Sequence, residues 1–255
     1  MGKWQELTRE LENMLRLRTF PIAFKRIEKV ADLDNIPRLR KMERTSNFCQ
    51  LVTLARTAGW TIGATADSMQ VACGTVVGLR EPPGGSYPTQ RAGVWYCTEE
   101  DARQAFTAMR RIPYGGYQAI ALAPLASEKF EPDVILIYGT PAQIIMLICA
   151  LQTKEYERFN FFCIGESACS DSLSECYVSG KPAVAIPCFG ERRFGAVQEE
   201  ELDMALPPAM LDKAVEGLRW LASKGLRYPI VPWGAECDPT PALARSYPSL
   251  DKKKQ

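Results

Sequence analysis

Asp133-Val134-Ile135-Leu136-Ile137-Tyr138 runs directly into Gly139-Thr140-Pro141-Ala142-Gln143-Ile144-Ile145-Met146-Leu147. The first six residues read as an apolar strand. Thr140 is placed to cap a helix, and Pro141 suits its first position, where no backbone N–H is needed. Gln143 stands three residues after the cap, the spacing of a capping box. An apolar strand followed at once by a capped helix sets a class that mixes α and β. Tyr117 to Ala123 reads as a preceding strand.

Working outward, Trp4, Leu7, Leu11, Met14 and Leu15 recur at helical spacing within 4–18. Ile22-Ala23-Phe24 then reads as a strand, and 31–46 as a polar loop with one helical turn. A helix is expected at 48–58, with Asn47 as its cap and Gln50 completing a capping box. Thr61 to Ala66 and Gln70 to Cys73 read as short strands or turns. Thr98 caps a helix over 99–111, with acids in its first turn and Arg110 and Arg111 in its last. Beyond Leu147 come a Cys-, Ser- and Gly-rich region (161–190), a strand at 183–186 and a helix over 208–224. Tyr228-Pro229-Ile230-Val231-Pro232 follows as an irregular or edge segment. The order lacks a regular βαβ rhythm, so the expected class is α+β, or an irregular α/β. One compact domain is expected over 1–255, with a C-terminal helical segment at 196–228 and a basic tail at 240–255.

Two stretches share an order of features. One has strand Ile22–Phe24, the helix opened by Asn47 and Gln50, then Cys73. The other has strand Ile120–Leu122, the helix opened by Thr140 and Gln143, then Cys169. An internal duplication would make 18–97 and 117–195 half-repeats about a pseudo-twofold axis. The cleft between them would be the ligand site.

The 255 residues contain no histidine. That excludes a Ser-His-Asp triad, a Cys-His pair and His-ligated haem or metal. Lys plus Arg number 31 and Asp plus Glu 30, which argues against a nucleic-acid partner. The N-terminus has no secretory h-region, and the apolar run 134–151 is too broken to span a membrane. A cytoplasmic location is expected, where thiols stay reduced. There is no G-x-G-x-x-G, so no standard nucleotide cradle.

Chemistry is therefore left to Cys, Asp, Glu, Lys, Arg, Tyr or a bound cofactor, and the nine cysteines are the leading candidates. Cys49, second in its helix, is the candidate catalytic thiol, because a helix N-terminus lowers a thiol pKa. Cys73 and Gly74 are candidate cofactor-binding residues, since the glycine allows close approach. Gln143 is a further candidate. Arg192 and Arg193 could grip a carboxylate or phosphate of an anionic ligand. No Cys-x-x-Cys pair occurs, so a zinc ribbon or ferredoxin-type run is not expected. Cys49, Cys73 and Cys169 are the candidate metal ligands, gathered from distant stretches around an iron–sulfur cluster.

Leu17-Arg18-Thr19-Phe20-Pro21-Ile22-Ala23, Phe48-Cys49-Gln50 with Ala55-Arg56, and Cys73-Gly74 with Gly78-Leu79 together form a pattern. Pro132-Asp133-Val134 with Tyr138 to Gln143, the Cys169 segment and Gly190-Glu191-Arg192 extend it. As a set these resemble the domain-of-unknown-function family one hundred and sixty-nine, cytosolic proteins common in anaerobic bacteria and archaea. The resemblance spans about 11–232. It implies a stand-alone soluble protein, brings no established activity or catalytic residues, and makes an oxygen-sensitive cofactor more natural.

Three functions compete. The chain could be a cofactor-binding protein of an anaerobic redox or carboxylation system, holding an iron–sulfur cluster or using a reactive thiol. It could bind a small or anionic ligand without catalysis. It could be an interaction subunit, docking its N-terminal helix on a second copy or an enzyme-complex partner.

Overall fold

The computed structural model describes residues 2–84 and 86–231. The basic tail at 240–255 and Pro232 lie outside the described residues. The chain opens with α1 (Lys3–Leu15), β1 (Ile22–Ile27) and, past a 3₁₀ segment at Val30–Asn35, β2 (Arg40–Lys41). Then come α2 (Phe48–Ala58), β3 (Ile62–Thr65), α3 (Val71–Val76), α4 (Ser86–Arg91) and α5 (Glu99–Ala108). β4 (Ala119–Pro124), β5 (Val134–Gly139) and α6 (Pro141–Leu151) follow. A π-helical turn at Ser170–Ser174 leads into α7 (Glu175–Ser179), β6 (Ala183–Ala185), α8 (Phe189–Phe194), β7 (Leu202–Leu206) and α9 (Leu211–Ser223).

The strands form one sheet in the order β2-β3-β4-β1-β5-β7-β6. Only β2 and β3 run parallel; the other neighbours are antiparallel. This is an α+β fold, as the sequence reads. Successive strand residues face opposite sides, and here both sides are covered. Ala23, Ile135, Ile137 and Leu206 pack under α1, α6 and α9 through Leu11, Leu147 and Leu218. Ile22, Phe24, Leu136 and Tyr138 pack under α2 through Phe48, Leu51 and Val52. Two buried faces explain why all six residues of β5 are apolar or glycine and all are buried.

α6 begins as its sequence dictates. Thr140 accepts from the Gln143 N–H, and Gln143 Oε1 accepts from the Thr140 N–H at 2.7 Å. α2 opens in the same way, with the Asn47 N–H donating to Gln50 Oε1 at 2.8 Å. α6 and α9 lie so close that a Cβ on Gly217 would sit 2.1 Å from the Ala150 carbonyl oxygen.

Three expectations are corrected and a fourth is not shown. Gln70 to Cys73 is not strand or turn: Gln70 caps α3. The helix at Glu99 ends at Ala108, where the extended Met109 closes it. Residues 196–228 are not wholly helical, because β7 inserts between β5 and β6. The pseudo-twofold half-repeats are not shown. Both stretches run strand, strand, helix, β1-β2-α2 and β4-β5-α6, but β5 sits beside β1 within the sheet whereas β2 is an edge strand beside β3. Moreover, α2 and α6 cover opposite faces of the sheet.

Candidate functional site

A cavity of about 580 Å³ opens on the α2 face of the sheet. Its walls come from segments far apart in sequence. The start of α2 supplies Asn47, Phe48 and Cys49, and α3 supplies Ala72, Cys73 and Val76. Arg91 at the end of α4 and the following Val94 and Trp95 form one lip. Glu166, Ser167 and Cys169 come from the loop before the π-helical turn, and α8 closes the other side with Cys188, Phe189, Glu191 and Phe194. Trp95 meets Phe189 edge to face, ring centroids 5.7 Å apart, across the mouth.

α8 can seat against α2 because Gly195 has no side chain. A Cβ there would lie 2.9 Å from Cys49 Cβ and 2.8 Å from the Glu191 carbonyl oxygen. Thr53 donates its hydroxyl to the Gly195 carbonyl and fixes the approach. The Cys49 thiol points at the Gly190 carbonyl, 3.6 Å away.

The expected trio Cys49, Cys73 and Cys169 therefore borders one cavity, and Cys188 joins it. Sequence reading missed Cys188 as a member. Its signal was the spacing Cys188-Phe189-Gly190-Glu191, a cap followed three residues later by an acid. Among the described residues, no group of three or more Cys, Asp or Glu side chains is placed to hold a single metal ion.

The expected activation of Cys49 is corrected. Burial, reinforced by the neighbouring Cys73 and Glu191 charges, raises its pKa, and the Gln50 N–H offsets only part of that. Burial is also the first cause that raises Cys73, Cys169 and Cys188. All four are neutral thiols at neutral pH unless something replaces water as the partner of the sulfur.

Beneath the thiols lies a buried ionic network. Tyr138 donates its hydroxyl to Glu191 Oε1 at 2.9 Å. Arg56 binds Glu201 through both guanidinium nitrogens, at 2.8 and 3.1 Å, with its guanidinium 4.4 Å from the Tyr138 ring centre. Asp203 accepts from the Ser172 hydroxyl. Arg56 is thus matched by Glu201, and Glu191 and Asp203 share what remains of its field. Burial pushes Glu191 up to about 7 against the pull of Tyr138 and Arg56. Asp203 is also raised well above the usual carboxylate range, by burial and by Glu191.

Other candidates lie elsewhere. Gln143 donates to the Leu15 and Arg16 carbonyls at 2.8 and 3.2 Å, tying α6 to the end of α1. Gly74 faces the Arg80 side chain, 3.2 Å from a notional Cβ. Arg192 donates to the Gln198 carbonyl at 2.6 Å, and Arg193 is exposed. None of these four residues lines the cavity. The cavity's arginine is Arg91, which pairs with Glu166 at 3.6 Å.

A family model described as uncharacterised ArCR matches residues 10–217, more than half of the chain. The chain belongs to that family, DUF169. The matched span carries every DUF169 residue named above as bordering the cavity. The chain is also similar to Uncharacterized protein MJ0308 of Methanocaldococcus jannaschii. The two are 24% identical over 219 residues, 84% of this chain and 94% of the relative. No solved structure matches the chain. No helix among the described residues is long and apolar enough to cross a membrane.

Proposed function

We propose that this protein binds a cofactor in the cavity bordered by Cys49, Cys73, Cys169 and Cys188. The observation that carries the reading is the convergence of four thiols, from four separate segments, on one cavity of about 580 Å³. Small-molecule sites typically enclose roughly 300–1,000 Å³ with apolar walls and a few polar groups, and Phe48, Val76 and Met109 supply such walls. The cytoplasm, with its reduced thiols, suits the free cysteines. An anaerobic redox or carboxylation system, with this chain as enzyme or accessory subunit, suits a sulfur-lined site.

The competing readings have less support. An anionic ligand was to be gripped by Arg192 and Arg193, which do not border the cavity. A docking role for α1 needed its apolar face, yet Trp4, Leu7, Leu11 and Leu15 are buried in the protein's own core.

The test is native mass spectrometry of protein purified without oxygen, compared with the cavity-filling variant Ala72→Trp. A bound species is expected on the parent protein and lost from the folded variant. A species retained when the cavity is filled, or none on the parent, would overturn the reading.

A further inference from the structure

The cavity thiols meet acceptors as well as donors: Cys49 donates toward the Gly190 carbonyl at 3.6 Å and Cys73 toward Asn47 Oδ1 at 3.8 Å, while backbone N–H groups face the same sulfurs. The Gln50 N–H serves Cys49, and the Phe48 N–H serves Cys73. The N–H groups of Ala168, Glu191 and Gly190 serve Cys188. Cys169 lies 3.6 Å from the Ser167 hydroxyl. Donors directed at sulfur favour the thiolate, and such bonds tune the sulfurs of iron–sulfur clusters. An uncompensated thiolate in so dry a place is costly. A thiolate formed there needs a bound cation as its partner.

The other described cysteines mark the contrast. Cys97, Cys149 and Cys163 are exposed and outside the cavity. Cys176 is buried in the apolar core under α2, where a thiol is a small hydrophobe. Among the described cysteines, only the cavity four border a shared space. Cys73 and Cys188 both act electrostatically on Cys49 and on Cys169. Yet among the described residues no three ligand side chains are placed for one ion. Four thiols bordering one hollow of about 580 Å³ suit a group that is itself several atoms across.

We infer that Cys49, Cys73, Cys169 and Cys188 hold one four-iron, four-sulfur cluster, each binding one iron as thiolate. The inference rests on the cofactor-binding reading above and names the cofactor. Four protein sulfurs occupy all four corners, so no iron keeps an open position for a substrate. Loading by ligand exchange is balanced. A preformed cluster carried by four alkylthiolates meets four protein thiols, and each protein thiol gives its proton to one departing alkylthiolate. Four alkylthiols leave, and no electron moves.

The experiment uses the full chain, oxygen-free, with a four-iron cluster carried by 2-mercaptoethanol as the donor. Iron, sulfide and visible absorption are measured after desalting, and folding is followed by circular dichroism. About four irons and four sulfides per chain and a brown protein are expected. Single Cys→Ser variants at 49, 73, 169 and 188 should retain less than half of that iron while keeping the parent dichroism. Cys97→Ser, Cys149→Ser and Cys163→Ser should load fully. Should a serine variant fail to fold, Cys→Ala at the same position gives the second reading. A folded, colourless parent chain, one iron per chain, or full loading in the cavity variants would overturn the cluster. The first of these, with a different bound species still lost from Ala72→Trp, would leave the cofactor-binding reading standing.

Discussion

Tyr138 on β5 and Glu191 on α8 share a hydrogen bond of 2.9 Å that joins the floor of the cavity to the sheet. Tyr138 is paired across the sheet with Asp203 on β7. Tyr138 thus donates to one buried acid and is strand-paired with a second, both with raised pKa values. Removing the hydroxyl in Tyr138→Phe strands a buried acceptor, at a cost of about 1–3 kcal/mol. Urea unfolding should show the midpoint fall while the slope holds; an unchanged midpoint would mean that the bond contributes nothing.

The acids also set a pH dependence. Glu191 ionises near 4.5 in the unfolded chain and at about 7 in the folded one. The folded state therefore holds the extra proton between those values, and stability falls as pH rises through that interval. Asp203 acts in the same direction. The contribution is full below pH 4.5 and lost above about 7. Glu191→Gln should flatten this part of the profile in thermal melts taken from pH 5 to 8, and an unaltered slope would contradict the assignment.

Arg56 and Glu201 are both buried, with side-chain exposures of 2% and 7%. Breaking such a pair from one side typically costs about 3–5 kcal/mol, because the remaining charge is stranded. Arg56→Leu should therefore be far more damaging than the double change Arg56→Leu with Glu201→Leu. A double-mutant cycle in urea measures this, and simple additivity would refute it.

Gln143 and Gly217 mark structural demands that leave the cavity untouched. Gln143→Ala strands the Leu15 and Arg16 carbonyls, and Gly217→Ala drives a methyl into the Ala150 carbonyl. Losses of about 1–3 kcal/mol are expected from each. Cluster loading of the folded protein should be unchanged. A Gln143→Ala variant that folds normally but does not load would restore Gln143 to the site.

Much of the fold was legible because local signals agreed with tertiary ones. The Thr140-Pro141-Gln143 start of α6 and the Asn47-Gln50 start of α2 are satisfied within a single turn, so the sequence determines them locally. β7 was not legible. Leu202-Asp203-Met204-Ala205-Leu206 carries a buried acid in a strand whose partners, β5 and β6, lie elsewhere in the chain. α3 was hidden by β-branched residues and a glycine, Val71, Gly74, Thr75 and Val76, which disfavour an isolated helix. At the site, the absence of histidine directed attention to sulfur, and three of the four cavity thiols were singled out. Glu191 was not, since its importance comes from Tyr138 and Arg56, 53 and 135 residues away. Arg192 and Arg193 misled because a basic pair beside glycines resembles an anion grip, while the short helix α8 turns only the Glu191 side of the segment inward.

The most direct measurement of the central claim is the alkylation rate of every cysteine with N-ethylmaleimide, mapped by peptide mass before and after cluster transfer. Without the cluster, Cys49, Cys73, Cys169 and Cys188 should react slowly, as largely buried neutral thiols, during prolonged exposure at alkaline pH; on loading all four should stop reacting together, while Cys97, Cys149 and Cys163 stay fast. Protection spread over a different set, or no joint change among those four, would contradict the account.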